Sequence, residues 1–230
     1  MAPPTLFFLH VPKTAGRYIV SVALHHELRE GPFLPPKGRL YRGTPDGRLH
    51  YGGHNVVRRS PRSAIRYFTH CARNAPGWEE SVRFTVLRNP FDLLVSMFSD
   101  GWPYGQGLTD QRFGDFPSFV DAYCDPDFPW LVPDQQHNLF FQLLDEDGSC
   151  PIPHRLRQER LDDDLAAVCA PLGIVPVRQG LHKASRFGAQ RDHRAWYSDA
   201  LREKVEQKCA FELSWGGYDF DGLVDRTEAA

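Results

Sequence analysis

At 230 residues, 41% of them hydrophobic, the chain can bury roughly 70% of its unfolded surface and suits one globular domain spanning 1–230 rather than a disordered segment. Its 27 basic and 29 acidic residues leave a formal net charge of −2, which argues against nucleic-acid partners and against a charged membrane-surface binder. Five cysteines with no CxxC pair read as reduced thiols of a cytoplasmic protein, and no apolar run approaches the ~20 residues of a membrane helix, so stable membrane insertion is not expected.

In chain order, TLFFLHV at 5–11 is a short, continuous run of apolar, aromatic and β-branched residues and predicts a buried strand. A helix is predicted over 17–30, where Val20, Ala23, Leu24 and Leu28 recur at helical spacing. The Pro-, Gly- and Arg-rich residues 31–53 read as loop. Ser60-Pro61 is a helix start, a capping serine before proline at the first helical position. VRFTVL at 82–87 is the second clear strand, and Asn89-Pro90 repeats the start signal for a helix through about Ser99. Residues 100–133 carry Gly, Pro, Trp102, Tyr104, Phe113, Phe116 and Trp130, and read as a long loop with one short helix at about 116–124. Those aromatics suit either a stacking platform for an acceptor or an ordinary core. Further helices are predicted at 135–144, 162–172 and 198–211. Strands alternating with helices predict an α/β fold: a central parallel sheet with helices on both faces.

Two strand-to-helix junctions carry the chemistry. In HVPKTAG at 10–16 the first strand gives way to a helix, where free backbone N–H groups make an oxyanion cradle. Ala15 and Gly16 leave room for close backbone approach, Thr14 adds a hydroxyl, and Lys13 adds a mobile positive charge. A Walker A loop needs glycine where Phe7 and Pro12 stand, so a triphosphate cradle of that type is not expected. The alternative for Lys13 is a solvated surface lysine.

The string FFLHVPKTAG resembles the 5′-phosphosulfate-binding loop of sulfotransferases that use 3′-phosphoadenosine-5′-phosphosulfate (PAPS). The likeness is to the carbohydrate-type branch, which includes heparan sulfate 2-O-sulfotransferase and small bacterial relatives. The resemblance implies a three-layer, P-loop-NTPase-like fold and a cofactor loop made of Pro12, Lys13, Thr14, Ala15 and Gly16. Where that family has a hydroxyl residue after the glycine, this chain has Arg17-Tyr18, and Arg17 would supply a charged fork instead. The second junction, VLRNPFDLLVS at 86–96, resembles the family's 3′-phosphate-binding segment, with Arg88 and Ser96 at its two phosphate-contacting positions. Eight residues is just over two helical turns, so Ser96 can return to the side of Arg88.

A general base must take the acceptor's proton. Gly52-Gly53-His54 resembles the Gly-His segment of the 2-O-sulfotransferase branch, which makes His54 the expected base and His10 its rival. LHKASR at 181–186 stands where the family has a loop near the nucleotide, so the resemblance brings Lys183, Ser185 or Arg186 to the 3′-phosphate or the adenine; the alternative is a solvated basic loop. The implied activity is transfer of a sulfuryl group from PAPS to a hydroxyl or amine of a glycan or small-molecule acceptor, with no metal required. The alternatives are a nucleotide kinase and a non-catalytic nucleotide-binding module.

Overall fold

A computed structural model describes residues 6–11, 13–16, 18–19, 41–43, 49–53, 79–101, 108–127, 143, 148–173, 175–176 and 192–224. They fall into two compact units. One comprises residues 1–87 and 139–182, the other residues 88–138 and 183–230.

The first unit holds a five-stranded sheet in the order β2-β3-β1-β4-β5. Its strands are β1 (Leu6–His10), β2 (Tyr41–Gly43), β3 (Leu49–Gly53), β4 (Val82–Leu87) and β5 (His154–Arg157). β1 pairs in parallel with both β3 and β4, and β5 extends the sheet in parallel beyond β4; only β2 runs antiparallel, against β3. The α/β class with a mainly parallel sheet is therefore present. β1 and β4 lie where their sequences predict. β2 and β3 correct the expectation of loop over 31–53: they lack alternating hydrophobicity, and their strand form comes from register with β1, Leu6 opposite Leu49 through His10 opposite Gly53.

One sheet face carries Leu6, Phe8, Phe84, Val86 and Leu156, with the Phe8 and Phe84 rings stacked 5.1 Å apart. The helix α4 (Leu161–Cys169) covers it with Leu161, Leu165, Val168 and Cys169, joined by Ile19 from the helical turn after β1. Residues 162–172, predicted as one helix, are α4 followed by a 3-10 turn at Ala170–Leu172 that ends on left-handed Gly173. Asp164 stands in the first turn of α4 and accepts from the Arg157 backbone N–H at 2.7 Å, joining the end of β5 to the start of the helix.

The second unit is helical: α1 (Pro90–Ser99), α2 (Leu108–Phe113), α3 (Phe116–Cys124), α5 (Asp199–Lys208) and α6 (Ala210–Gly216). α1 starts as its sequence predicts, with Asn89 accepting from the Phe91 N–H at 3.0 Å and proline in the first turn. α3 has the same logic, Asp115 accepting from the Ser118 N–H at 2.8 Å. α2 is a helix that the glycine-rich stretch did not announce. The helix predicted over 198–211 breaks at Cys209 into α5 and α6. The core is aromatic: Phe91 meets Tyr197 at 5.2 Å and Phe220 at 4.9 Å edge-on, and Phe116 meets Trp196 at 5.2 Å. Phe113 and Phe116 are thus core residues, while Trp102, Tyr104 and Trp130 lie outside the described residues. So do Ser60 and most of the helix predicted over 135–144. Among the described residues no helix is long and apolar enough to cross a membrane.

Candidate functional site

β1 is flanked by parallel neighbours, and the chain leaves it towards β3 on one side while β4 leads on to β5 on the other. Open α/β sheets bind ligands at such a switch point, beyond the carboxyl ends of the strands. The loop that follows β1 occupies that position. Just before it, the Thr85 hydroxyl donates to the Leu9 carbonyl at 2.8 Å, a buried bond that fixes β1 against β4.

The loop itself is strained. Lys13 has φ 67° and Ala15 has φ 56°, the two non-glycine residues with positive φ among those described. A side chain in the left-handed region costs roughly 1 kcal/mol or more, and such outliers persist only where the surroundings hold them. Thr14, fully buried between them, does that holding: its hydroxyl donates to the Val11 carbonyl at 2.8 Å, and its N–H reaches the same oxygen at 3.3 Å. The Thr14 hydroxyl proton is thereby committed inside the loop. Ala15 packs against the core below, and its carbonyl accepts from the Ile19 N–H at 3.1 Å as the helical turn begins. Gly16 is buried, and Lys13 is half-exposed.

Tyr18 turns the other way. Its hydroxyl donates to the Asp162 carboxylate at the start of α4, and its ring lies against the sheet core. It therefore braces the turn against α4. Pro12 and Arg17 lie outside the described residues, as do His54 and Arg186. The residue before His54, Gly53, pairs with His10 at the carboxyl end of β1.

Arg88 follows the last residue of β4 and belongs to the second unit. Its Nε donates to Asp92 Oδ2 at 2.6 Å, and its side chain is only 14% exposed. Along α1 only Asp92 and Ser96 are less than fully buried. Residues 88, 92 and 96 thus run down one helical face, as the eight-residue spacing predicts. Asp92 was missed in the sequence, although a carboxylate four residues after an arginine at a helix start is a readable signal.

No family model, curated protein or solved structure matches this chain. The site therefore rests on its own geometry. Lys13, Thr14, Ala15 and Gly16 share one loop of the first unit, and Arg88 and Ser96 share one helix face of the second. Each is an arrangement of cationic and polar groups suited to an oxyanion, a point charge on a constrained loop and a directed guanidinium. Among the described residues no group of three or more His, Cys, Asp or Glu is gathered as a metal site requires.

Proposed function

We propose that this chain is a PAPS-dependent sulfotransferase acting on a hydroxyl or amine of a glycan or small-molecule acceptor. The observation that carries the reading is the strained, buried-threonine loop presenting Lys13 beyond β1, at the switch point of a mainly parallel sheet. The directed Arg88 and the shared face of Asp92 and Ser96 support it for a phosphate monoester. A three-layer, P-loop-like arrangement belongs to the same proposal, as does a cytoplasmic location, to which thiols such as Cys124, Cys169 and Cys209 are suited.

The bound nucleotide supplies a sulfuryl group whose bond to the 5′-phosphate oxygen breaks as the acceptor's bond to sulfur forms. Lys13 and the loop amides stabilise the electron pair left on that phosphate oxygen. The resemblance gives His54 the task of taking the acceptor's proton, with His10 at the end of β1 as its rival. The 3′-phosphate contacts, which set the nucleotide's register, are assigned to Arg88 and Ser96 by the resemblance. Arg17 and Arg186 are placed in the same nucleotide site by the resemblance.

Thermal unfolding with 3′-phosphoadenosine-5′-phosphate tests the reading. At about a hundred times its dissociation constant this ligand adds about 2.7 kcal/mol to stability, and ATP or AMP adds much less. A preference for ATP with magnesium would make the chain a kinase. Bisphosphate binding without transfer to any of a panel of glycan and phenol acceptors, unchanged by His54→Ala, would make it a non-catalytic binding module.

A further inference from the structure

Away from the anion-binding residues, the second unit seals a carboxylate inside its helical layer. Glu212 of α6 is 4% exposed, and neither of its side-chain oxygens has a hydrogen-bond partner among the described residues. The titratable groups around it are Tyr123 from α3, Lys208 at the end of α5, and Cys209 between α5 and α6, with Cys124 next out. Tyr123 and Cys209 are themselves buried and pushed well above their ordinary values by that burial, so both stay neutral and neither can balance a charge on Glu212. Lys208 pulls the other way, but it makes no ion pair with Glu212 among the described residues. An ionised carboxylate without partners in such surroundings is strongly disfavoured, so the group is held as a neutral acid. Burial pushes Glu212 up to about 8, against the weaker pull of its own amide and of Lys208.

What lies beyond α6 gives this proton a reach. Gly217, left-handed at φ 70°, closes the helix, and the Tyr218 N–H returns to the Leu213 carbonyl at 2.9 Å. The next residue, Asp219, accepts from the Asn89 side-chain amide at 2.8 Å. That same Asn89 caps α1, directly after Arg88. α6 and the start of α1 are therefore joined by one continuous set of hydrogen bonds within the second unit.

We propose that Glu212 is a proton-operated latch: protonated, it keeps α6 seated beside α3 and α5; ionised, it releases α6 together with the Asp219 turn that steadies Asn89. The latch stands independently of the chemistry proposed above. Its sign follows from the raised value in the folded chain. The stabilisation is complete below the unfolded carboxylate value of 4.5, falls as pH rises, and is lost once pH has passed about 8.

The test compares the whole chain with Glu212→Gln from about pH 5 to about pH 9, by urea unfolding and by hydrogen exchange of peptides covering 210–224. Relative to the variant, the unfolding constant of the native chain rises roughly 10²–10³-fold over that range. Exchange across 210–224 accelerates first in the native chain only, after correction for intrinsic rates. A constant ratio, or protection lost evenly over the second unit, overturns the latch. If the variant does not fold, infrared spectra of the native chain decide. A protonated carboxyl band that titrates near pH 8, with exchange of the native chain over 210–224 accelerating across the same range, upholds the proposal; absence of the band at neutral pH, or titration without faster exchange, overturns it.

Discussion

Asp92 takes the Nε of Arg88 at 2.6 Å, one helical turn into α1, and so fixes the direction of a guanidinium that is mostly shielded from water. A partly exposed i,i+4 pair of this kind contributes at most about 1 kcal/mol to stability, so its consequence is orientation rather than strength.

Arg88→Lys keeps the charge and discards both the planar fork and the bond to Asp92. The expected result is a fold within about 1 kcal/mol of native with bisphosphate affinity reduced about 10- to 100-fold, the weight of a charged, directed hydrogen bond. Calorimetric titration with 3′-phosphoadenosine-5′-phosphate measures it, and native affinity in the variant removes Arg88 from the site.

Lys13→Gly separates two roles of one residue. Glycine adopts φ 67° without a Cβ penalty, so Lys13→Gly is expected to be about 0.5–1 kcal/mol more stable than Lys13→Ala, which loses the same side chain, while sulfuryl transfer in both falls by at least about a hundredfold for want of the cation. Urea unfolding alongside a transfer assay reads both. A glycine variant less stable than the alanine variant contradicts the strained loop.

Asn89→Ala removes the cap of α1 and leaves the Asp219 carbonyl without its amide donor. Loss of about 1–2 kcal/mol is expected from the cap, with faster hydrogen exchange both at the start of α1 and across 217–222, since one side chain serves both. Exchange confined to α1 would show that the two ends are not coupled.

The thiols follow from burial. Desolvation pushes Cys124 up to about 11, with Lys208 opposing, and Cys169 up to about 11. At pH 8 only on the order of one thiol in a thousand is then ionised. Iodoacetamide at that pH is expected to label neither in the folded chain and both in urea, as mass spectrometry of tryptic peptides would show.

The parts that the sequence announces are those whose signals are local. TLFFLHV and VRFTVL are apolar enough to specify buried strands without help, and Asn89-Pro90 marks a helix start because cap and proline act within one turn. β3 is LHYGG and β5 is HRLR, strings in which pairing supplies what composition withholds: β5 hides only Leu156 well, with His154 and Arg155 in water. The break at Cys209 has no Gly or Pro to mark it. At the site, Lys13 and Arg88 were legible as residue types at strand ends and Asp92 as a carboxylate at i+4, whereas the inward turn of Thr14 depends on geometry that no spacing rule states. His54, Pro12, Arg17 and Arg186 fall outside the described residues.

The two borders of the sheet bear on how the chain behaves in company. Among the described residues β2 is three residues long and β5 carries Arg155 and Arg157 in four positions, so one described margin offers few open amides for a foreign strand and the other meets it with guanidinium cations. Short and charged margins are how sheet proteins discourage edge-to-edge growth into fibrils. Replacing the arginines of β5 with valine or threonine would open a four-residue template of high strand propensity and invite that growth.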